Sequence, residues 1–338
     1  MRISRPVRLM MPIVVGLCAA AFLLVGGSGV AGASNSSHGK GERSGFSLPA
    51  DASGQNGCNY GCGGNLQLKG GCCPIVDFPP QVLYAIYWFP QGSRNVGTPS
   101  SNYTQVTDQF LRNVAADSNK TSNPFWSSTQ YSANGLSASD QFTFGGSTII
   151  SDSLGGLDFC QSSIEPRCIT SDQVIAKIAT VAAAFGWQGG NHTFLVFFAP
   201  GMGSADNPAG GTCGYHSFFN DLNGVSFEDP YAVINYTANT KCDLGSKQQP
   251  RPNRNDADVA INTASHEMAE IQTNIFTVNG NGWRDRNGNE NGDKCNYTFG
   301  NNLATKRAAG YDVTIGTGQY QVQGEWSNAS KKCVMTGY

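Results

Sequence analysis

Residues 256–295 read DADVAINTASHEMAEIQTNIFTVNGNGWRDRNGNENGDKC, a predicted helix followed by a loop rich in carboxylate and amide side chains. Apolar residues in the first half recur at steps of three and four, at Ile261, Ala264, Met268 and Ile271. That periodicity predicts a helix with one apolar face. Asn255 or Asp256 is expected to cap its start, because a short polar side chain accepts hydrogen bonds from the first free N–H groups.

A second face of this helix carries His266, Glu267 and Glu270, since residues four apart sit one turn above each other. Zinc hydrolases of the His-Glu-x-x-His type use the i and i+4 residues as ligands and the Glu as general base. Here Glu270 replaces the second His, and carboxylate oxygen is an acceptable zinc ligand. We expect zinc at His266 and Glu270, with Glu267 as the catalytic base.

The loop after the helix would supply a third ligand from Asp285, Glu290 or Asp293. The step from Glu270 to Glu290 resembles the ligand spacing of thermolysin-like peptidases. The alternative to a metal site is a hydrogen-bonded core histidine on a half-buried helix, near an ion pair formed by Arg284 or Arg286.

Calcium is an alternative metal, because oxygen-bearing side chains alternate from Asp285 to Asp293. An EF-hand is excluded, since Glu290 stands where the loop needs Gly and Asn296 where it needs Glu. A looser calcium site remains open, as does a plain polar turn rich in Asn and Gly.

The N-terminus has the pattern of a secretory signal peptide. Arg2, Arg5 and Arg8 precede an apolar run over residues 9–25, and Ala31-Gly32-Ala33 follows as a cleavage site. We expect cleavage after Ala33, a secreted extracellular protein, and no membrane span. A net charge of −2 argues against nucleic acid as a partner. The partner is expected to be an unknown extracellular protein or a peptide or wall substrate, with the oligomeric state open.

Eleven cysteines occur, and an even number remain once Cys18 of the leader is set aside. In an exported chain such a set predicts disulfides. Two bridges are expected within Cys58, Cys62, Cys72 and Cys73, for which a zinc knuckle is the rival. The other expected pairs are Cys160–Cys168, Cys213–Cys242 and Cys295–Cys333.

The remaining pattern predicts an α/β or α+β fold, with a mixed β-sheet, flanking helices, disulfide staples and a zincin-like active helix. Strands are expected at 81–89, 140–150, 192–199 and 227–236, helices at 103–114, at 125–131 and from residue 171, and a closing hairpin at 311–315 and 319–326. The expected organisation is a signal peptide (1–33), a disordered linker (34–57), a Cys-rich segment (58–80) and one globular domain (81–338).

His216 ends a glycine-rich stretch, residues 200–216, that leaves a predicted buried strand. No nucleotide-binding glycine pattern is present in it. A nucleophilic pair of Cys213 and His216 is disfavoured if Cys213 is bridged. His216 is then a candidate for a distant metal ligand or a substrate contact.

Several scattered motifs resemble the exordium / phosphate-induced protein family, secreted proteins best known from plant cell walls. They are Leu83-Tyr-Ala-Ile-Tyr-Trp88, Cys213-Gly-Tyr-His216, Tyr231-Ala-Val-Ile234 with Cys242, Asp258-Val-Ala-Ile-Asn262, and Cys295 with Tyr297-Thr-Phe-Gly300 and Cys333. The resemblance covers roughly residues 81–333. It implies an extracellular role in growth or wall responses, without an established catalytic mechanism.

The key helix departs from the plant pattern and is similar to microbial relatives. The matching pieces are Ser265-His266-Glu267, Glu270, Trp283-Arg-Asp285, Gly288-Asn-Glu290 and Asp293-Lys-Cys295. Two functions follow: a secreted zinc-dependent hydrolase, most plausibly a peptidase, or a non-catalytic extracellular binding or signalling protein with a structural ion or hydrogen-bond cluster. A hydrolase using Ser265 as nucleophile is a distant third, because no partner base can be named.

Overall fold

The computed structural model describes residues 63–70, 80–93, 95–133, 135–154, 167–187, 191–204, 212–220, 228–240, 242–243, 251–274, 282–300 and 312–338. All of them belong to one unit, His38–Tyr338. The predicted leader and linker lie outside these ranges, as do Cys58, Cys62, Cys72, Cys73 and Cys160.

The described strands are β1 (Gln67–Lys69), β2 (Gln81–Trp88), β3 (Ser132–Ala133), β4 (Leu136–Ser137), β5 (Phe142–Ile150), β6 (Arg167–Ile169), β7 (His192–Phe198), β8 (Met202–Ser204), β9 (Gly214–Asn220), β10 (Glu228–Ile234), β11 (Gly282–Arg284), β12 (Val313–Ile315), β13 (Gly318–Tyr320), β14 (Glu325–Ser327) and β15 (Lys332–Val334). The α-helices are α1 (Tyr103–Ala116), α2 (Ser171–Phe185), α3 (Ala257–Thr273) and α4 (Asn291–Lys294), and a 3₁₀ helix spans Pro124–Gln130.

A five-stranded mixed sheet carries the fold, in the order β5, β2, β7, β10, β9. The first four strands run parallel, and β9 pairs antiparallel with β10 at one edge, where His216 lies opposite Ala232. β7 is buried along its whole length, as its unbroken apolar run predicts for a strand covered on both faces. The mixed sheet with flanking helices confirms the predicted fold class.

Alternate side chains of the sheet pack into two separate layers. On one face, Leu83 and Tyr87 of β2 join a core that includes α1 and α3. On the other face, Ile86 of β2 packs with Val174 and Ile178 of α2. The period of two along β2 therefore places the α3 helix on one side of the sheet and α2 on the other.

Helix α3 is buried on every side, although its sequence pattern predicts a half-buried helix. Its apolar stripe, which includes Ile261 and Met268, faces the sheet as expected. The opposite side contacts α4 and the 3₁₀ helix, and α4 in turn contacts β14. Every residue from Ala257 to Thr273 is buried as a result. The polar face of α3 is therefore enclosed by later parts of the chain.

The start of α3 is fixed by side chains on both sides of the first turn. Asn255 Oδ1 accepts a hydrogen bond from the Ala257 N–H at 2.9 Å, which is the predicted capping role. The Asp258 carboxylate accepts from the backbone N–H groups of Asn253 (3.0 Å) and Asn255 (3.2 Å). Asp256 makes no side-chain capping bond.

The C-terminal region differs from the predicted hairpin. β12 pairs with β13 as expected, but β14 pairs with β15 instead of extending β13. A Cβ on Gly324, between these strands, would lie 2.9 Å from the Val334 carbonyl oxygen. Glycine, which has no Cβ, tolerates this close approach of the two backbones.

Two predicted disulfides are confirmed, Cys213–Cys242 and Cys295–Cys333. Cys168 is also disulfide-bonded, and its predicted partner, Cys160, lies outside the described residues. None of the described helices is both long and apolar enough to cross a membrane.

Candidate metal centre

The polar face of α3 presents three fully buried side chains, His266, Glu267 and Glu270. His266 Nε2 lies 3.1 Å from Glu270 Oε1, one helical turn further on. Two ligands of one tetrahedral zinc ion are roughly 3.4 Å apart, given metal–ligand distances of about 2.0–2.2 Å. The i and i+4 spacing therefore produces a geometry that suits a shared cation.

The edge strand β9 brings His216 to the same place. Its Nδ1 atom lies 3.0 Å from Glu267 Oε2 and 3.3 Å from Glu270 Oε2. Gly214, two residues earlier on the same face of β9, allows this approach. A Cβ there would lie 2.6 Å from Thr263 Cγ2 and 3.0 Å from Glu267 Oε1. A side chain at position 214 would push the strand away from the helix.

Glu290 closes the cluster from the loop after β11. Its Oε1 atom lies 2.6 Å from Arg284 Nη2, and its Oε2 atom lies 3.8 Å from His216 Nε2. Arg284 thus orients one oxygen of the carboxylate and leaves the other facing the histidine. An ion pair with Arg284, as the alternative without a metal expects, is present, and its acidic partner is Glu290.

Asp293 lies at the other end of the cluster, beside His266. Its backbone N–H donates to Glu270 Oε1 at 3.0 Å, and its Oδ1 lies 3.8 Å from His266 Nε2. Gly292 makes room for this contact, since a Cβ there would lie 2.9 Å from His266 Nδ1. The turn at 290–293 therefore packs directly against the imidazole.

Asp285, the remaining candidate from the loop, has a different set of neighbours. It accepts hydrogen bonds from the backbone N–H groups of Asn287 (2.8 Å) and Asn289 (3.0 Å). Lys294 Nζ lies 3.2 Å from its Oδ2 atom. These contacts are typical of a carboxylate that stabilises a turn. Both carboxylate oxygens of Asp285 are engaged by them, whereas a calcium loop starting at Asp285 would need those oxygens as ligands.

Glu325 of β14 is a buried carboxylate that the sequence analysis did not single out. Neither of its oxygens has a hydrogen-bond partner within the described part of the chain. Burial raises its pKa well above the usual range, opposed by the charge of His266 and reinforced by that of Glu270. In the sequence, the only sign of this site was a single acidic residue within a predicted strand.

The histidines and Glu270 hold charges in spite of their burial. Burial lowers the pKa of His266, but the carboxylate of Glu270 outweighs it and raises that pKa to about 10. Burial likewise opposes charge on His216, while the surrounding carboxylates, led by Glu290, raise its pKa well above 6.5. Burial disfavours ionised Glu270, yet His266 and His216 hold its pKa well below the ordinary value.

The other carboxyl groups hold their protons more tightly than usual. Burial, reinforced by Glu270, raises the pKa of Glu290 to about 8 and that of Asp293 to about 7. Burial also raises the pKa of Glu267, against the hydrogen bond from His216. Ionising the whole set therefore requires additional positive charge, because unbalanced charge is costly away from water.

The donor set fits a divalent cation. Two groups have ligand atoms within 4.8 Å of one another: His216 with Glu270 and Glu290, and His266 with Glu267 and Glu270. Within the described residues, His216 Nε2 and Glu290 Oε2 are buried atoms without a hydrogen-bond partner. Imidazole nitrogen with carboxylate oxygen is a ligand combination typical of zinc.

No protein-family model, curated protein or solved structure matches this chain. The resemblance to the exordium family therefore stays a prediction. What the site does has to be inferred from its own residues.

Proposed function

We propose that this chain is a secreted metal-dependent hydrolase, most plausibly a peptidase, in which His266 and Glu270 hold zinc and Glu267 is the general base. One observation carries the proposal. The three polar residues of the His-Glu-x-x-Glu turn meet a second histidine, His216, in a fully buried cluster. Strongly perturbed pKa values, such as those of His266 and Glu290, cluster at functional sites.

The ligand sphere would be completed by a carboxylate of the loop, Glu290 or Asp293. Both lie 3.8 Å from a histidine of the cluster, whereas Asp285 is engaged by the turn and by Lys294. If zinc is bound by these residues, it would supply Lewis-acid polarisation of a carbonyl group and a lower pKa for bound water. Arg284 supports the arrangement by orienting Glu290.

Glu267 is suited to receive a proton. Burial raises its pKa, so the carboxylate holds a proton more tightly than an exposed glutamate does. Its Oε2 atom is held 3.0 Å from His216 Nδ1, which fixes the carboxylate orientation. His216 therefore acts as a positioning residue for the proposed base.

A second candidate function is favoured by the depth of the site. His216, His266, Glu267, Glu270 and Glu290 each have 0% exposure. A catalytic metal site keeps a position open to water and substrate, whereas a structural site is closed. A non-catalytic extracellular protein of the exordium type, with a structural zinc or calcium ion here, is the alternative.

Secretion and the class of substrate are part of the proposal. The N-terminal leader pattern points to export, and the disulfides Cys213–Cys242 and Cys295–Cys333 fit an oxidising compartment. A peptide or a wall component is the proposed substrate.

The test is hydrolysis of a broad fluorogenic peptide library by the purified full-length secreted protein. Cleavage that stops with a zinc chelator and returns when zinc is added back is the expected result. Zinc-loaded protein without turnover on any peptide, yet strongly destabilised by the chelator, supports the structural alternative instead.

A further inference from the structure

We infer that the cluster binds two divalent metal ions, with Glu270 as a bridging ligand and His216 and Glu290 forming the second position. The inference rests on the proposed function for its first ion, held by His266 and Glu270. The second ion lies on the side of the edge strand β9. Nothing in the His-Glu-x-x-Glu pattern indicates it.

The two oxygens of Glu270 face different histidines. Oε1 lies 3.1 Å from His266 Nε2, and Oε2 lies 3.3 Å from Nδ1 of the His216 ring. That nitrogen is hydrogen-bonded to Glu267, so a second cation would be held through the other ring nitrogen, Nε2. His216, Glu270 and Glu290 each offer one ligand atom, and the three atoms lie within 4.8 Å of one another. A carboxylate placed between two imidazoles in this way can give one oxygen to each of two cations. Two-metal hydrolytic sites hold their ions about 3.5–4 Å apart, a span that one bridging carboxylate covers.

The loop carboxylates divide between the same two sides. Asp293 Oδ1 lies 3.8 Å from His266 Nε2, while Glu290 Oε2 lies 3.8 Å from His216 Nε2. Each histidine therefore has one loop carboxylate and one oxygen of Glu270 nearby. The two sets of ligand atoms share only Glu270.

The number of carboxylates and histidines allows two ions. Four carboxylates, those of Glu267, Glu270, Glu290 and Asp293, meet two histidines here. Four carboxylates with two histidines is also the ligand set that two metal ions use in di-metal carboxylate proteins. With the histidines neutral, these four carboxylates and the Arg284 guanidinium carry a net charge of −3, of which a single divalent ion offsets only two. Arg284 is already committed to Glu290.

An unpaired nitrogen marks the second position. His216 is fully buried, and its Nε2 atom has no hydrogen-bond partner among the described residues. The carboxylate oxygen Glu290 Oε2 also lacks one and is 3.8 Å away. A buried histidine nitrogen normally has a partner, and a cation bound by both groups would satisfy them together.

The experiment is a zinc titration of the metal-free, full-length secreted protein, followed by native mass spectrometry. The wild type is expected to bind two ions. His216→Gln and Glu290→Gln are each expected to bind one ion, because each substitution removes a ligand. Glutamine is similar in size to both of the side chains that it replaces. His192→Gln is the matched control, since His192 is a buried histidine on β7 that packs against Tyr84 and Phe194, and it should still bind two.

The outcomes separate the two proposals. One ion in the wild type, retained in His216→Gln and lost in His266→Gln, overturns the second position and leaves the first intact. No bound ion in the wild type overturns both. A second measurement covers variants that fold poorly: manganese-loaded wild type should give the electron paramagnetic resonance signal of two coupled ions, and an isolated-ion signal overturns the bridge.

Discussion

His216 Nδ1 lies 3.0 Å from Glu267 Oε2, although the two residues are 51 positions apart in the chain. The contact joins the antiparallel edge strand β9 to the helix α3, with Gly214 allowing the close approach. It gives the proposed base a fixed orientation and a charged neighbour. Substituting Glu267 would remove the proposed base, whereas substituting His216 would remove the residue that orients it. These two roles can therefore be separated by experiment.

Glu267→Gln should abolish hydrolysis while the protein still folds and keeps its metal. Glutamine has nearly the same shape but cannot accept the proton, and a general base contributes about 10²–10⁴-fold to the rate. Steady-state kcat with a peptide substrate and metal content on the same sample provide the measurement. Full activity in this variant would remove Glu267 from the mechanism.

Ser265→Ala is the matched control for that substitution. Ser265 is the neighbouring residue on α3, is fully buried, and its Oγ atom has no hydrogen-bond partner among the described residues. The loss of its hydroxyl should leave kcat unchanged. A loss of activity as large as that of Glu267→Gln would instead favour Ser265 as a nucleophile.

Chelation should lower the thermal stability of the protein. A ligand that binds only the folded state, at a free concentration 100 times its Kd, stabilises it by about 2.7 kcal/mol. For a chain of this size, with an unfolding entropy of about 2.1 cal/mol/K per residue, that is a drop in Tm of roughly 4 °C when the metal is removed. Differential scanning calorimetry with and without chelator measures it, and His266→Ala should show a much smaller drop. An unchanged Tm in the wild type would speak against a tightly held ion.

The metal-free protein should lose stability as the pH rises. Folding raises the pKa of His266 from 6.5 to about 10 and that of Glu290 from 4.5 to about 8. Both groups bind protons more tightly when folded. Their contribution to the free energy of unfolding is therefore fully present below the pKa values that the two groups have in the unfolded chain. It is lost as the pH rises through the pKa values that they have in the folded protein.

We thus expect the Tm of chelator-treated protein to fall between about pH 5 and pH 10. The zinc-loaded protein should not show this fall, because the metal takes the place of the protons. Calorimetry of both forms across the range makes the comparison. A metal-free Tm that climbs steadily with pH is the contrary result.

Gly292→Ala should weaken metal binding through His266. The new Cβ would lie 2.9 Å from His266 Nδ1 and 3.1 Å from Glu270 Oε1, so both side chains must shift. Losing the support of a ligand typically lowers metal affinity about 10–100-fold. Overpacking should also cost about 1–3 kcal/mol of stability. Zinc affinity by competition with a chromogenic chelator measures the first effect.

Gly300→Ala separates crowding from metal binding. Its Cβ would lie 3.0 Å from Asp312 Cβ, a comparably tight contact outside the metal cluster. We expect a similar loss of stability and an unchanged zinc affinity. Equal losses of affinity in both glycine variants would show that Gly292 acts through stability alone.

Local periodicity was sufficient to predict the frame of the site. The apolar steps of α3 identified the helix, and the i and i+4 spacing placed His266 beside Glu270 at 3.1 Å. Unbroken apolar runs identified β2 and β7, which form the middle of the sheet. The pairs Cys213–Cys242 and Cys295–Cys333 followed from their proximity in sequence and an even count.

The parts that depend on distant segments were beyond the sequence pattern. His216 reaches the cluster because β9 pairs antiparallel with β10, and no local spacing records that register. Glu325 arrives from a strand whose partner, β15, was not predicted. The loop carboxylates looked equivalent in the sequence, and only the folded turn directs Asp285 to Lys294. Burial of the polar face of α3 likewise depends on α4 and the 3₁₀ helix.

Elemental analysis of the secreted protein, purified without chelators and beside a His266→Ala variant, is the decisive measurement for a metal centre at His266 and Glu270. We expect at least one zinc ion per wild-type chain and at least one fewer in the variant. Calcium in place of zinc would contradict the zinc hydrolase and favour a structural ion. No metal in either sample would contradict a metal centre at His266 and Glu270 altogether.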